Sequence, residues 1–279
     1  MNKLYLFNPP IFFTLFLTIV LITHHIDSFA QLPNNTNIEK VNSAKEKILK
    51  FIKENKHNFR VVDLILLDFI QRRFNLPREF CFEESFTRIP KEEDIQALKI
   101  YGKLVGYKGI ESQKPQKAEP FTWSVIDAIF IENEKDCPSK EYILDRLKSQ
   151  LNGKGYEITH TALAFGLYIE RRCLYISDPD VKELHTKICN SLQQLSRSIP
   201  EPTDLKLEAL CFASYLECRE RINPTDIDML LNLQRVDGAF SGTLNPNAGI
   251  NVHTTLLGLW LICEFSSQLP IPKTNMIRK

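Results

Sequence analysis

Three residues of this chain have types and spacing that could do chemistry together. His160 opens the apolar stretch "THTALAFGLYIERR", Glu208 lies early in "TDLKLEALCFASYLECRERI", and His253 lies early in "INVHTTLLGLWLICEF". They hold near-equivalent places in three successive apolar segments. Equivalent positions in stacked hairpins converge, so the register sets a carboxylate between two imidazoles. A base, an acid and a second imidazole around one concave mouth are parts of general acid/base chemistry. Thr161 and Thr254 follow the two histidines, and Glu208 aligns with Thr161. Asp127, inside the apolar run "FTWSVIDAIF", is expected either as a fourth member of the cavity or at an exposed edge of its helix. The competing expectation is structural: histidines at helix starts satisfy nearby turn carbonyls through their ring nitrogens.

The elements that must position these residues alternate in character. "CPSKEYILDRLKSQL", "SDPDVKELHTKICNSLQQLSRSI" and "NPTDIDMLLNLQ" read as amphipathic helices, and each is followed by one of the apolar helices. His160, Leu207 and His253 fall 47 and 46 residues apart, and "ALAFGLY" from Ala162 overlays "ALCFASY" from Ala209. A period in this range predicts stacked helical hairpins. The first half reads as helices too, from "NIEKVNSAKEKILKFIKEN" and "VVDLILLDFIQRRF" onward. No run with period two predicts a strand. The expectation is an all-α chain, an α/α toroid-like ring or solenoid of about five helical hairpins over residues 38–270. The apolar final helix favours a closed ring, because it needs a neighbour to cover it.

A turn precedes each of two apolar helices. The later one carries Gln234, Asp237, Gly238, Ala239 and Phe240; the earlier one carries Asn152, Gly153, Gly155 and Tyr156. Asp, Asn and Gly supply the backbone angles of a tight reversal, and the aromatic residue is expected to plug the space between hairpins. Residues 233–262, with this turn and the His253-Thr254 pair, resemble a repeat of the terpenoid cyclase and protein prenyltransferase α/α toroids. The match covers about residues 137–265. Some polysaccharide lyases and the thioester domains of complement-like proteins share the turn loosely. The resemblance implies the ring fold, and its chemical motifs are missing here. "SDPDV" and "TDIDML" stand where a cyclase-type Asp-x-Asp-Asp would be sought, and they sit at helix starts, where acids cap. His253 resembles the zinc-ligand histidine of prenyltransferases, but no Asp-x-Cys partner accompanies it. No metal and no cofactor is therefore expected.

The N-terminus reads as an export signal over residues 1–30: Lys3, an apolar run from Ile11 to Ile22, and small residues Ser28 and Ala30 before Gln31. An uncleaved membrane anchor is the alternative. A polar linker follows over residues 31–37, with the glycosylation sequon Asn34-Asn35-Thr36, and a tail covers residues 271–279. A secreted or periplasmic location follows, with membrane contact only through the signal. A net charge of +1 with no basic cluster gives no reason to expect nucleic acid. The seven cysteines contain no Cys-x-x-Cys pair, and Cys211, Cys218 and Cys263 read as buried small apolar residues. The function expected is a scaffold that binds a ligand or protein partner in a central cleft without chemistry. The alternative is a toroid enzyme, a polysaccharide lyase or hydrolase or a diverged cyclase or prenyltransferase. Carboxylates or Tyr/His pairs at the inner mouth would mark the enzyme, and an apolar pocket would mark an isoprenoid or lipid ligand.

Overall fold

The computed structural model describes residues 35–118, 120–201, 203–218, 224–241, 249–267 and 273–278. The expected export signal and the sequon residue Asn34 lie outside them. By internal contacts the chain divides between Ile38 and Glu39, and of the first unit only residues 35–38 are described. Among the described residues eleven α-helices follow one another: α1 Asn35–Asn55, α2 Val61–Phe74, α3 Phe82–Ser85, α4 Glu92–Tyr101, α5 Pro120–Phe130, α6 Lys140–Gln150, α7 Tyr156–Glu170, α8 Pro179–Ser198, α9 Asp204–Tyr215, α10 Pro224–Asn232 and α11 Val252–Ser266. No strand occurs among the described residues, so the chain is all-α there, as the patterning predicts. Helix α1 starts at Asn35, inside the stretch expected as linker. No helix among the described residues is long and apolar enough to cross a membrane.

Local chemistry sets the helix starts. Ser139 caps α6 by accepting from the Tyr142 amide at 3.2 Å. Asp178 caps α8 by accepting from the Asp180 amide at 2.9 Å, and Pro179 at the first position has no amide to satisfy. Asn251 caps α11 by accepting from the Thr254 amide at 3.0 Å.

The amphipathic and apolar helices pair as the alternation requires: α6 on α7, α8 on α9, α10 on α11. Helix α8 buries Val181, Leu184, Ile188 and Leu192, one stripe at helical spacing. Helix α11 buries every residue from Thr254 to Cys263 and has no solvent face in that stretch. The apolar helices pack in series, α5 on α7, α7 on α9, α9 on α11 and α11 on α2, while α2 meets α4 and α4 meets α5. Phe69 of α2 and Trp260 of α11 meet with ring centres 4.8 Å apart, and Tyr215 of α9 meets Phe69 edge-on at 5.9 Å. Such contacts add to the area that each ring removes from water.

The later turn does what its residues predict. Asp237 accepts from the Ala239 amide at 3.1 Å, and Gly238 adopts a φ of +92°. Gln234 donates to the Ala44 carbonyl of α1 at 3.0 Å and to the Gly238 carbonyl at 3.1 Å. Phe240 is buried against Gly258 of α11, where a Cβ would come within 2.8 Å of its ring. The earlier turn differs: Tyr156 is an exposed residue and plugs nothing.

Two disulfides stitch two hairpins. Cys137–Cys173 ties the start of α6 to the chain just past α7, and Cys189–Cys218 ties α8 to the chain just past α9. Both span 5.5 Å between Cα atoms, inside the range a disulfide accepts. Cys218 is therefore a bridge partner and not the buried apolar residue its helical pattern suggested. Cys211 and Cys263 are free and buried as expected, and so is Cys81.

Candidate functional site

Four apolar helices run the same way. At one end Tyr156 of α7 donates to Asp204 of α9 at 2.9 Å, Thr254 of α11 donates to Asp204 at 2.7 Å, and His253 of α11 lies 3.9 Å from Asp63 of α2. At the other end Arg73 of α2 pairs with Glu264 of α11 at 2.8 Å, and Tyr215 of α9 donates to Glu170 of α7 at 2.6 Å. Contacts of first turns with first turns and last turns with last turns make α2, α7, α9 and α11 parallel. Helix N-termini carry partial positive charge. Three carboxylates, Asp63, Asp204 and Glu208, gather at that end.

Glu208 stands at the centre. Its Oε1 lies 3.8 Å from Nε2 of His160, and its Oε2 lies 3.8 Å from Nε2 of His253. The Glu208 side chain is only 6% exposed, whereas those of His160 and His253 are 29% and 33% exposed. The buried acid thus sits behind two imidazoles that reach solvent. The other ring nitrogen of His253 faces Asp63, which Arg60 grips with two bonds of 2.8 and 3.1 Å. The competing expectation had histidines at helix starts satisfying turn carbonyls; in His253 both ring nitrogens face carboxylates instead.

The two imidazoles titrate differently. Burial pushes His160 below the ordinary histidine range, with Glu208 opposing and His253 reinforcing. Burial acts the same way on His253, but Glu208, Asp204 and Asp63 outweigh it and raise its pKa. Partial desolvation of its hydroxyl end, followed by Asp204, pushes the Tyr156 hydroxyl well above the phenol range, although the residue as a whole is exposed.

Of the residues picked from the sequence, His160, Glu208, His253 and Thr254 come together here. Asp127 does not. It pairs with Arg146 of α6 at 2.8 Å and with Lys114 at 3.0 Å, so its place in an apolar helix is explained by two cations at a helix edge. Thr161 is fully buried and donates to the Glu157 carbonyl at 2.6 Å, a bond within its own helix. Gln234, Asp237, Gly238 and Phe240 build the turn and touch none of the cluster through the bonds described above. The sequence reading missed Asp204, Asp63 and Tyr156. Asp204 was legible: it lies four residues before Glu208 in a helix, hence on the same face. Asp63 carried the signal read for Asp127, an acid in an apolar helix.

A metal ion could be held in the cluster, because one donor atom from each of Asp204, Glu208 and His253 lies within 4.8 Å of the others. A second group, His185 with Cys189 and Cys218, has both sulfurs committed to a disulfide. Comparison with known proteins finds no matching family model, no similar curated protein and no similar solved structure.

Proposed function

We propose that this is an exported helical-repeat protein of the α/α-toroid type that binds a polar ligand at the mouth formed by His160, Glu208 and His253. The toroid reading is supported by the circuit of helix contacts, in which α11 returns to α2 and α4 links α2 to α5. Export is supported by the two disulfides, which persist in oxidising compartments.

The observation that carries the binding site is the position of Glu208. A carboxylate buried behind two imidazoles costs desolvation energy that an apolar residue would not. Groups held at such a cost beside side chains that reach solvent mark working sites. The polar surroundings favour a hydrophilic ligand over an isoprenoid. Native mass spectrometry of the full chain, produced through a secretion pathway, tests this. The wild type retains a polar ligand and a folded Glu208→Gln variant loses it; equal retention by both would sink the reading.

One observation favours the enzyme reading. Tyr156 and His160 lie with ring centres 6.3 Å apart beside three carboxylates, the Tyr/His and acid grouping that a lyase or hydrolase of polysaccharides needs. Release of new chain ends from a panel of polysaccharides, abolished in His160→Ala, would favour that reading over a passive scaffold.

A further inference from the structure

We propose that Asp204, Glu208 and His253 bind a divalent transition-metal ion of the zinc or manganese class. This rests on the reading that the cluster is where the protein holds its ligand, and it names that ligand.

The donors come from rigid elements. Asp204 and Glu208 lie one turn apart on α9, and His253 projects from the first turn of α11. Their donor atoms lie within 4.8 Å of one another. Bonds of about 2.0–2.2 Å to one ion bring such atoms somewhat closer, a shift within the reach of side-chain rotation.

The surroundings are those of a supported metal site. A metal-bound histidine usually presents its second nitrogen to a carboxylate, which fixes the ring and raises its basicity. Asp63 stands 3.9 Å from the second nitrogen of His253 and is itself held by Arg60. Asp204 is oriented through both oxygens, by the Thr254 and Tyr156 hydroxyls. The Glu208 side chain is only 6% exposed. The two imidazole Nε2 atoms each lie 3.8 Å from one of its oxygens. A buried carboxylate aimed into the cluster offers its oxygens to a cation.

The charge agrees. Three carboxylates face one guanidinium, that of Arg60, which leaves two negative charges when the imidazoles are neutral. A divalent ion balances them. The oxygen and nitrogen donor set, with no thiolate, suits zinc, manganese, cobalt or ferrous iron and not cuprous copper. An imidazole in the set disfavours calcium and magnesium, which take oxygen ligands. Three protein ligands leave a position open to solvent or substrate. His160 touches the other Glu208 oxygen and acts as a positioning residue for that carboxylate.

The test is calorimetric titration of chelator-treated, disulfide-intact full chain with Zn2+ and Mn2+, with Co2+ absorption as a spectroscopic check. Wild type binds one equivalent, and Co2+ gives visible bands without a thiolate charge-transfer band. Asp204→Asn and His253→Gln each weaken binding by more than about 100-fold, and Asp63→Asn by about 10–100-fold. No stoichiometric binding by folded wild type, or binding unchanged in Asp204→Asn and His253→Gln, overturns the proposal. If metal binding fails while another ligand is lost in Glu208→Gln, only the metal falls; if neither ligand is found, the site reading falls with it.

Discussion

The Arg73 guanidinium donates to the Glu264 carboxylate at 2.8 Å, and both side chains are about nine-tenths buried. The same carboxylate accepts from Ser214 of α9 and from the Trp260 indole at 3.0 Å. Three helices thus share one buried acid at the end opposite the cluster. Glu264→Gln should cost about 3–5 kcal/mol, because it strands a buried guanidinium. The double change Arg73→Met, Glu264→Met should cost less than the single one. Urea unfolding of both variants checks the order; a more damaging double change would show that the pair itself stabilises.

Gly238 gives a backbone test. Its φ is +92°, and a Cβ there would lie 2.4 Å from the Lys47 carbonyl oxygen of α1. Gly106 also has a positive φ, +68°, but meets nothing within 4 Å. Gly106→Ala should cost about 1–2 kcal/mol, the penalty of the left-handed conformation alone. Gly238→Ala should cost clearly more, since α1 must also move. Thermal unfolding of the two variants decides; equal losses would show that α1 yields freely.

Asp94 links stability to pH. It accepts two bonds from Arg88, at 2.8 and 3.2 Å, and one from the Lys91 amide at 3.1 Å. The Arg88 hydrogen bond is the main reason its pKa lies below the ordinary value of 3.8. A depressed carboxylate contributes stability above its unfolded pKa and loses it as pH falls through its folded one. Asp94→Asn should therefore cost about 1–3 kcal/mol near neutrality, and its deficit should shrink below about pH 4. Denaturant unfolding at both pH values reads this directly.

The two disulfides predict a thiol count. Under denaturing, non-reducing conditions only Cys81, Cys211 and Cys263 should alkylate. Replacing Cys189 and Cys218 by alanine should cost about 2–4 kcal/mol, the range for loops of this length. Peptide mapping after alkylation and an unfolding curve check each half.

Glu208→Gln should cost little stability, because it removes a buried charge whose desolvation the two imidazoles, each 3.8 Å away, only partly offset. A melting temperature that falls by many degrees would assign Glu208 a structural role.

Much of this fold was legible because periodicity reports burial. The all-round apolar run of α11 and the one-sided stripe of α8 gave their places directly, and the repeat spacing brought His160, Glu208 and His253 together. Long-range pairing was not legible. Cys218 and Cys211 have similar apolar neighbours, and only the position of α8 decides which one bridges to Cys189. Asp127 and Asp63 pose the same riddle, an acid in an apolar helix. Their answers differ because the partners, Arg146 and Lys114 against Arg60 and His253, lie on other elements.

The stitching of the hairpins sets an order of assembly. Cys137 pairs with Cys173, and both emerge before either member of the second bridge. A chain threaded through a membrane N-terminus first can seal its first hairpin while the second is still arriving. The free cysteines present by the time the second bridge can close are Cys81 ahead and Cys211 between the second pair, and both end up buried. Mispairing is then limited by how quickly those two segments collapse, and an isomerase would be needed only when that collapse is slow.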